Sequence, residues 1–530
     1  MDKLFERYFN DFINLFPTTN DMLKMKKYEN KSHLFENSIS VEHINKQKDF
    51  FRKYKTKLEG KKEKSNYHKL LFFKISRSLK EFQFNLQFLP LNHMENFISF
   101  FSEMASGATL FKFKTKKDYN NFIIKANNFT NLIDTCIVNM EEGIKREMVL
   151  SKLLCNLLIR QLESIVSNKS YTNKKIKVKL DYDFNKEIDA ILKPKIKKLL
   201  IFLKKVYLPK CVVKVGLCNI KNGRKLYEFL AEEFTTLDNI NILEIHNYGI
   251  SEVKRIHNEM IDLKNKLNFK GTLGQFNKKL NNDPKLKFKN ETDLIEYYEL
   301  EQKRILDHVM KDMFDIKISH NYLIKKVPKY NQSFAPSAYY MPGSLNFKRK
   351  GTFYINTGNI KSMTKMDVES LSLHEGLPGH HFQLTYLYDN DFPLFIKIMN
   401  LTGYEEGWGL YSENLGIYSD PLSYYGKLNM EMMRAIRLVV DTGLHYYDWG
   451  EQKSIDYFKK YTFMDLKDIE SEVHRYIAIP GQALSYKMGE KVFLDLRKKY
   501  KNMPIKEFHN RVVKLGPMPL SVLKKIDLNA

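Results

Sequence analysis

Ser372-Leu373-His374-Glu375-Gly376-Leu377-Pro378-Gly379-His380-His381 is the stretch on which the reading of this chain turns. Three of the 14 histidines and a glutamate fall between His374 and His381. Neutral imidazoles bind zinc, and a carboxylate beside them can take a proton from a metal-activated water. The His-Glu-x-x-His helix puts two imidazoles four residues apart on one face, yet the residue four after His374 is Pro378. Proline has no N–H, so the bond to the His374 carbonyl is lost and a helix must kink, bulge or end there. On an undistorted helix His380 would point away from His374, and His381 would share its face about 10 Å further along. Gly376 and Gly379 allow a widened turn that returns one imidazole to the site. The residues do not choose between His380 and His381. His374 and one of these two are the first candidate zinc ligands, and Glu375 is the candidate general base.

A catalytic zinc usually takes a third protein ligand. Tyr404-Glu405-Glu406-Gly407-Trp408-Gly409-Leu410-Tyr411-Ser412-Glu413 is its best source, with Glu406 and Glu413 seven apart on one helix face. Glu406 is the candidate metal ligand, and Glu413 the candidate for orienting a ligand histidine from behind. Arg437, Asp441 and His445 fall at four-residue steps. They form either a polar stripe facing the site, with Arg437 holding a substrate carboxylate, or an ordinary helix-surface ion pair. Attack on an amide develops an oxyanion that needs aimed donors; Tyr476, Tyr486 and His474 are available. Gly351-Thr352-Phe353-Tyr354-Ile355-Asn356 reads as a strand whose edge could pair with an extended peptide, which makes Tyr354 and Asn356 candidate substrate contacts.

The composition, 43% hydrophobic and 13% aromatic over 530 residues, is that of an ordered globular protein. No apolar run nears the roughly 20 residues that span a bilayer, and the N-terminus lacks an uninterrupted apolar core. A cytoplasmic protein without a membrane partner is expected. Cys136, Cys155, Cys211 and Cys218 fit neither a metal knuckle nor a disulfide framework, so reduced thiols are expected. The net charge of +25 comes mostly from lysines scattered among acids. Clusters such as Lys193 to Lys198 and Lys348-Arg349-Lys350 lack the interleaved aromatics of a base-stacking groove, which argues against nucleic acid as a partner. Oligomeric state leaves no mark in the sequence.

Residues 1–319 read as a mostly helical N-terminal part, and 320–530 as the part that carries the metal site, the two forming one continuous structural unit. Leu4, Tyr8, Phe12 and Phe16 recur at near-helical spacing, and Met140 to Leu162 reads as a single helix. Val212 to Leu217 reads as a short strand. Asn247-Tyr248-Gly249 reads as a turn before a helix from Ser251 to Leu267, and Asn290 as a helix start. Past residue 320, Val327-Pro328, Ala335-Pro336 and Met341-Pro342 punctuate extended chain before helices resume. The fold class is mainly α.

These blocks together resemble the family known as domain of unknown function 885, and through it the gluzincin metallopeptidases. The hallmark His-Glu-x-x-Pro-Gly-His-His is matched from His374 to His381, and Glu-Gly-Trp-x-x-Tyr-x-Glu from Glu406 to Glu413. Arg-Leu-Val-Val-Asp-Thr-Gly is matched from Arg437 to Gly443. Arg-Tyr followed by Pro-Gly-Gln-Ala-x-x-Tyr is matched by Arg475-Tyr476, Pro480 to Ala483 and Tyr486. Tyr339-Tyr340-Met341-Pro342 also looks familiar. Gly409 stands where alanine is common, a departure expected to matter little. The resemblance implies a large helical zincin-like fold with a deep cleft and a small sheet beside a zinc. It also implies hydrolysis of peptide bonds in oligopeptides, with Glu406 as a ligand and Tyr476 or Tyr486 as oxyanion donor. The alternatives are a metal-dependent hydrolase of a non-peptide amide and a non-enzymatic basic scaffold that binds nucleic acid.

Overall fold

Asp2 caps the first helix: its carboxylate accepts the Leu4 N–H at 2.8 Å, and Lys3–Leu15 follows with Phe5, Tyr8, Phe9 and Ile13 buried. The computed structural model describes residues 2–529 except 24, 63, 107–110, 112, 168–170, 173, 174, 177, 330, 331, 333–335 and 346–348. Ala335 and Lys348, noted in the sequence, therefore lie outside the described residues. The architecture is mainly helical, with one small open sheet of three strands.

Two helices differ from their sequence pattern. The apolar run from Met140 to Leu162 is not one helix. Lys116–Lys145 ends there, Glu147 takes a positive φ of 59°, and Lys152–Ser167 begins anew. Periodicity survived the break because both pieces bury their faces in the same core. Conversely, Asn247-Tyr248-Gly249 is no turn, since Ile242–Lys266 runs straight through it. Gly249 is small for packing: a Cβ there would come within 2.7 Å of Leu438 Cβ. Val212 to Leu217 forms no strand and contributes only an isolated bridge between Val212 and Ser151. The start at Asn290 is as read, its side chain accepting from Thr292 N–H and Asp293 N–H at 2.9 and 3.0 Å.

The sheet contains β1 (Leu323–Lys326), β2 (Ala338–Met341) and β3 (Thr352–Ile355), in the order β1-β3-β2. β3 pairs parallel with β1 and antiparallel with β2. The Thr352–Ile355 segment is thus a strand, as expected, but a central one. Both its edges are taken, and it has no free edge for a peptide. β2 is an edge strand, and it is the one that reaches the histidine motif.

Two large apolar clusters make the core, and each joins residues from before and after residue 320. One packs the Lys116–Lys145, Lys152–Ser167 and Phe184–Phe202 helices against Tyr425, Val439 and Tyr476. The other joins Phe5 and Tyr8 to Phe395, Phe353, Leu373 and Trp408. Burial of such side chains contributes about 1.5–3 kcal/mol each before chain entropy is set against it. Among the described residues no helix is long and apolar enough to cross a membrane. The Lys193–Lys198 cluster is partly neutralised, Lys193 by Asp189 at 3.1 Å, and Lys195 and Lys198 by one shared carboxylate, Asp134, 3.0 Å from Lys198.

The helix carrying Glu406, Thr402–Glu413, lies against Ser485–Lys499 at a glycine contact. A Cβ on Gly407 would overlap the Gly489 backbone, and one on Gly489 would overlap Gly407. Overpacking of this kind costs about 1–3 kcal/mol. Gly407→Ala should therefore lower the urea midpoint by that amount of stability. Gly60→Ala, where a Cβ meets only Thr56 O at 3.6 Å, should stay within about 0.5 kcal/mol of the parent.

Candidate metal centre

The break demanded by Pro378 is complete. Val368–Leu371 is helical, Ser372–Gly376 forms one wide turn, and the helix ends. Leu377 is extended (φ −116°, ψ 129°), as the residue before a proline must be, and the Leu377–Pro378 peptide is cis. Gly379 then passes so close to the carbonyls of His374 and Leu373 that a Cβ would overlap both oxygens. A new helix, His380–Asp389, starts at once. This re-entry sets the His374 and His380 rings 4.8 Å apart between centroids and nearly perpendicular, at 86°.

Glu406 meets them from the Thr402–Glu413 helix. One ligand atom from each of His374, His380 and Glu406 lies within 4.8 Å of the others. Glu406 Oε2 is 3.5 Å from His374 Nε2 and 3.6 Å from His380 Nε2. Two donors on one tetrahedral metal ion, each about 2.1 Å from it, stand about 3.4 Å apart, and the two separations from Glu406 are close to that, so these residues could hold a metal ion. The helix is tied to the loop by Trp408, whose Nε1–H donates to Pro378 O at 2.8 Å. It also gives the imidazole its seat, because a Cβ on Gly409 would lie 2.9 Å from Cε1 and Nε2 of His374. The departure from alanine expected to matter little is thus in direct contact with a candidate ligand.

The tautomer of His374 follows from its second nitrogen. Nδ1 faces Glu413 Oε1 at 2.8 Å, and a carboxylate only accepts, so Nδ1 carries the hydrogen and Nε2 points at the cluster. Buried Glu413 is itself held by Ser370 Oγ–H at 2.6 Å and faced by Arg434 Nη2 at 3.7 Å. Burial opposes a charge on His374, but Glu406 and Glu413 outweigh it and push the imidazole up to about 10. Burial likewise raises Glu406, and His374 and His380 overcome it, holding the carboxyl well below its usual range. Two carboxylates directed at one imidazole define a place for positive charge.

His381 is turned away. Successive helix residues point about 100° apart, so His380 and His381 cannot both face Glu406. His381 is fully buried, and burial pushes it down to about 3. Its Nε2–H donates to His320 O at 3.1 Å, since a carbonyl only accepts, and the bare Nδ1 accepts the Tyr340 O–H at 2.9 Å. The same Tyr340 on β2 donates its backbone N–H to Glu375 Oε2 at 2.9 Å. His381 thus fastens the edge strand that orients Glu375, a link that sequence spacing could not reveal. The only hint of Tyr340 was its place in Tyr339-Tyr340-Met341-Pro342.

The stripe on Pro421–His445 is buried, not a surface ion pair. Arg437 donates to Glu472 Oε2 at 3.0 Å and to Tyr476 OH at 3.1 Å, and its guanidinium lies 4.5 Å over the Tyr486 ring. Asp441 accepts Tyr227 O–H at 2.6 Å and Gly481 N–H at 3.0 Å, while burial raises its carboxyl to about 7. His445 Nδ1 accepts Leu217 N–H at 3.1 Å, so Nε2–H donates to Tyr476 O at 3.0 Å. Asp441 and His445 therefore pin the turn carrying Gly481 (φ 85°) and the end of Leu466–Ala478.

Those pins separate the two tyrosines that the sequence left equal. Tyr476 donates its O–H to Glu472 and is 1% exposed, so its hydroxyl is committed inside the protein. Tyr486 accepts from Arg475 Nη2 at 3.2 Å, which leaves its own proton to donate, and its ring stacks 6.5 Å from that of His374. His474 is paired with Glu451 at 2.6 Å. Tyr354 stacks on Tyr339 across the strand pair, and the Asn356 amide serves the turn after β3, donating to Gln332 O and accepting Gly358 N–H. No contact among the described residues brings Tyr354 or Asn356 to the three ligand atoms.

A competitive zinc titration should discriminate the adjacent histidines. His380→Ala is expected to lose more than about 100-fold in affinity, while His381→Ala stays within the 10–100-fold range of a supporting residue and keeps one zinc per chain.

Two solved structures share the fold. The first, "the putative lipoprotein from Colwellia psychrerythraea", is 22% identical with a TM-score of 0.89, covering 99% of this chain and 98% of that one. The second, "a putative lipoprotein of unknown function from Shewanella oneidensis", is 14% identical with a TM-score of 0.76, covering 98% of each. Both are described as a "putative lipoprotein", and against that the expectation of a cytoplasmic location does not stand. The physical reason is plain: a lipid anchor is covalent, so the want of a long apolar run excludes a spanning helix without fixing a compartment. No curated protein matches the sequence. Residues 25–526 match the family described as "bacterial protein of unknown function (DUF885)", and the chain belongs to that family.

Proposed function

We propose that the protein is a zinc-dependent metallopeptidase of the gluzincin kind that hydrolyses peptide bonds in oligopeptides. The observation that carries this reading is the convergence of His374, His380 and Glu406 within 4.8 Å, with Glu413 behind His374. A zinc ion held by these three would supply Lewis acidity, polarising a scissile carbonyl and acidifying a water. Glu375, oriented by the Tyr340 N–H, takes the water's proton and returns it to the leaving amine. Tyr486 donates its O–H to the oxyanion, because its oxygen already accepts from Arg475. Glu413 fixes the His374 ring, and His381 fixes the strand behind Glu375.

The test is metal analysis together with mass-spectrometric profiling of a peptide mixture. Wild-type protein should hold one zinc, cut peptides, stop on dialysis against a chelator and recover on zinc addition. Glu375→Gln should keep the zinc and lose at least about 100-fold in kcat, the lower bound for a general base. Turnover that persists in this variant, or that ignores the chelator, would sink the mechanism.

A further inference from the structure

Beside the candidate centre, two arginines address one carboxylate. Arg437 Nη2 lies 3.0 Å from Glu472 Oε2, while Arg475 Nη1 lies 3.8 Å from Oε1, beyond hydrogen-bond range. Glu472 also receives the Tyr476 O–H. Its single negative charge is thus matched by Arg437, whose side chain is almost wholly buried. The hydrogen-bond partners of Arg475 are both neutral: Nη2 donates to Gln482 Oε1 at 2.8 Å and to Tyr486 OH at 3.2 Å. The cluster of Arg437, Arg475 and Glu472 carries one surplus positive charge. A guanidinium taken largely out of water is stable only when an anion answers it, and its planar edge suits a carboxylate. The Arg475 side chain is 25% exposed, so an incoming anion can reach it.

Tyr486 measures how far this cation lies from the metal ligands. Its ring centroid is 6.5 Å from that of His374, and its hydroxyl touches Arg475. Arg475 Nη2 therefore lies within about 13 Å of the centre of the His374 ring. At about 3.3–3.6 Å per extended residue, that distance holds three residues or fewer.

We propose that Arg475, with Gln482 beside it, receives the C-terminal carboxylate of the substrate, so that the enzyme removes fragments of one to three residues from free C-terminal ends. This rests on the metallopeptidase reading for the cutting step, and on the Arg475 cluster alone for recognition. Arg475 is here a specificity-determining residue. An acidic side chain would offer the same carboxylate chemistry, so the probe has to distinguish the two sources.

The probe is a pool of tripeptides with uncharged side chains, made as free acids and as C-terminal amides. Binding of each form is measured by equilibrium dialysis against zinc-loaded Glu375→Gln protein, and cleavage by wild-type protein is followed by mass spectrometry on longer peptides in both forms. Free acids should bind at least about tenfold more tightly than amides, the size of a charge-assisted contact. Adding Arg475→Gln should abolish the difference, while Arg475→Lys keeps part of it. Equal binding of acids and amides overturns the inference, as does a preference for acids that survives Arg475→Gln. If wild type cuts amides as fast as acids and far from the C-terminus, the inference falls and the peptidase reading stands. If acids bind selectively through Arg475 but no peptide is cut, the anion site stands and the peptidase reading falls.

Discussion

The passage of Gly379 across the carbonyls of Leu373 and His374 is the contact from which the centre is built. A helix that lost its hydrogen bonding at Pro378 and ran on extended would carry His380 away from His374. Because residue 379 has no Cβ, the chain instead folds back over the end of its own helix and starts the next one within a single residue. The carbonyl of Pro378, stranded by this path, is answered by Trp408 Nε1–H. That bond fixes the helix bearing Glu406 to the loop that sets His380. The tryptophan in the second motif and the Pro-Gly in the first are thus two halves of one joint.

Behind the joint lies a layer of buried charge that has to remain paired. Glu413 holds His374, Ser370 holds Glu413, and Arg434 faces it. Further down, Lys487 lies within 3.0 Å of Glu252 and 2.6 Å of Glu431, and also pairs with Glu490. Glu490 accepts from Asn414 at the end of the Glu406 helix, and Glu431 is shared with Lys427 and Arg255. Buried ion pairs add little net stability compared with apolar packing, but removal of one member leaves a charge that costs about 3–5 kcal/mol. The layer therefore resists displacement more than it stabilises. Together with the Gly407–Gly489 contact on the same two helices, it holds Glu406 at a fixed distance from the histidines.

What the sequence made legible follows from what local spacing can encode. Two residues seven apart share a helix face, so the approach of Glu406 and of Glu413 to the histidine motif could be anticipated. Which of His380 and His381 turns toward Glu406 depends on backbone angles between Gly376 and Gly379, which no periodicity records. The long helices misjudged at Gly249 and between Lys145 and Lys152 show the same limit. Gly249 is a packing requirement set by Leu438 and Val439, nearly 200 residues away, and not a turn. β3 could be identified as a strand from its own residues, but its central place depends on β1 and β2, which flank it only in space. The compartment was misjudged because composition reports whether a chain crosses a membrane as a helix, not where it resides.

The division of charge around the centre connects these observations. On one side, Glu375, Glu406 and Glu413 surround two imidazoles and favour a cation. On the other, Arg437 and Arg475 outnumber Glu472 and favour an anion. Tyr486 stands on the boundary, stacked near His374, covered by Arg437 and bonded through its oxygen to Arg475. Asp441 and His445 keep it there by pinning the Gly481 turn and the end of the preceding helix. A hydroxyl that stands between opposite fields and accepts from Arg475 keeps its own O–H free to donate a hydrogen bond toward negative charge. Tyr476, ten residues earlier and chemically identical, lacks that capacity because its O–H already donates a hydrogen bond to Glu472. The difference between the two tyrosines is therefore one of hydrogen-bond direction, set by which arginine faces which oxygen.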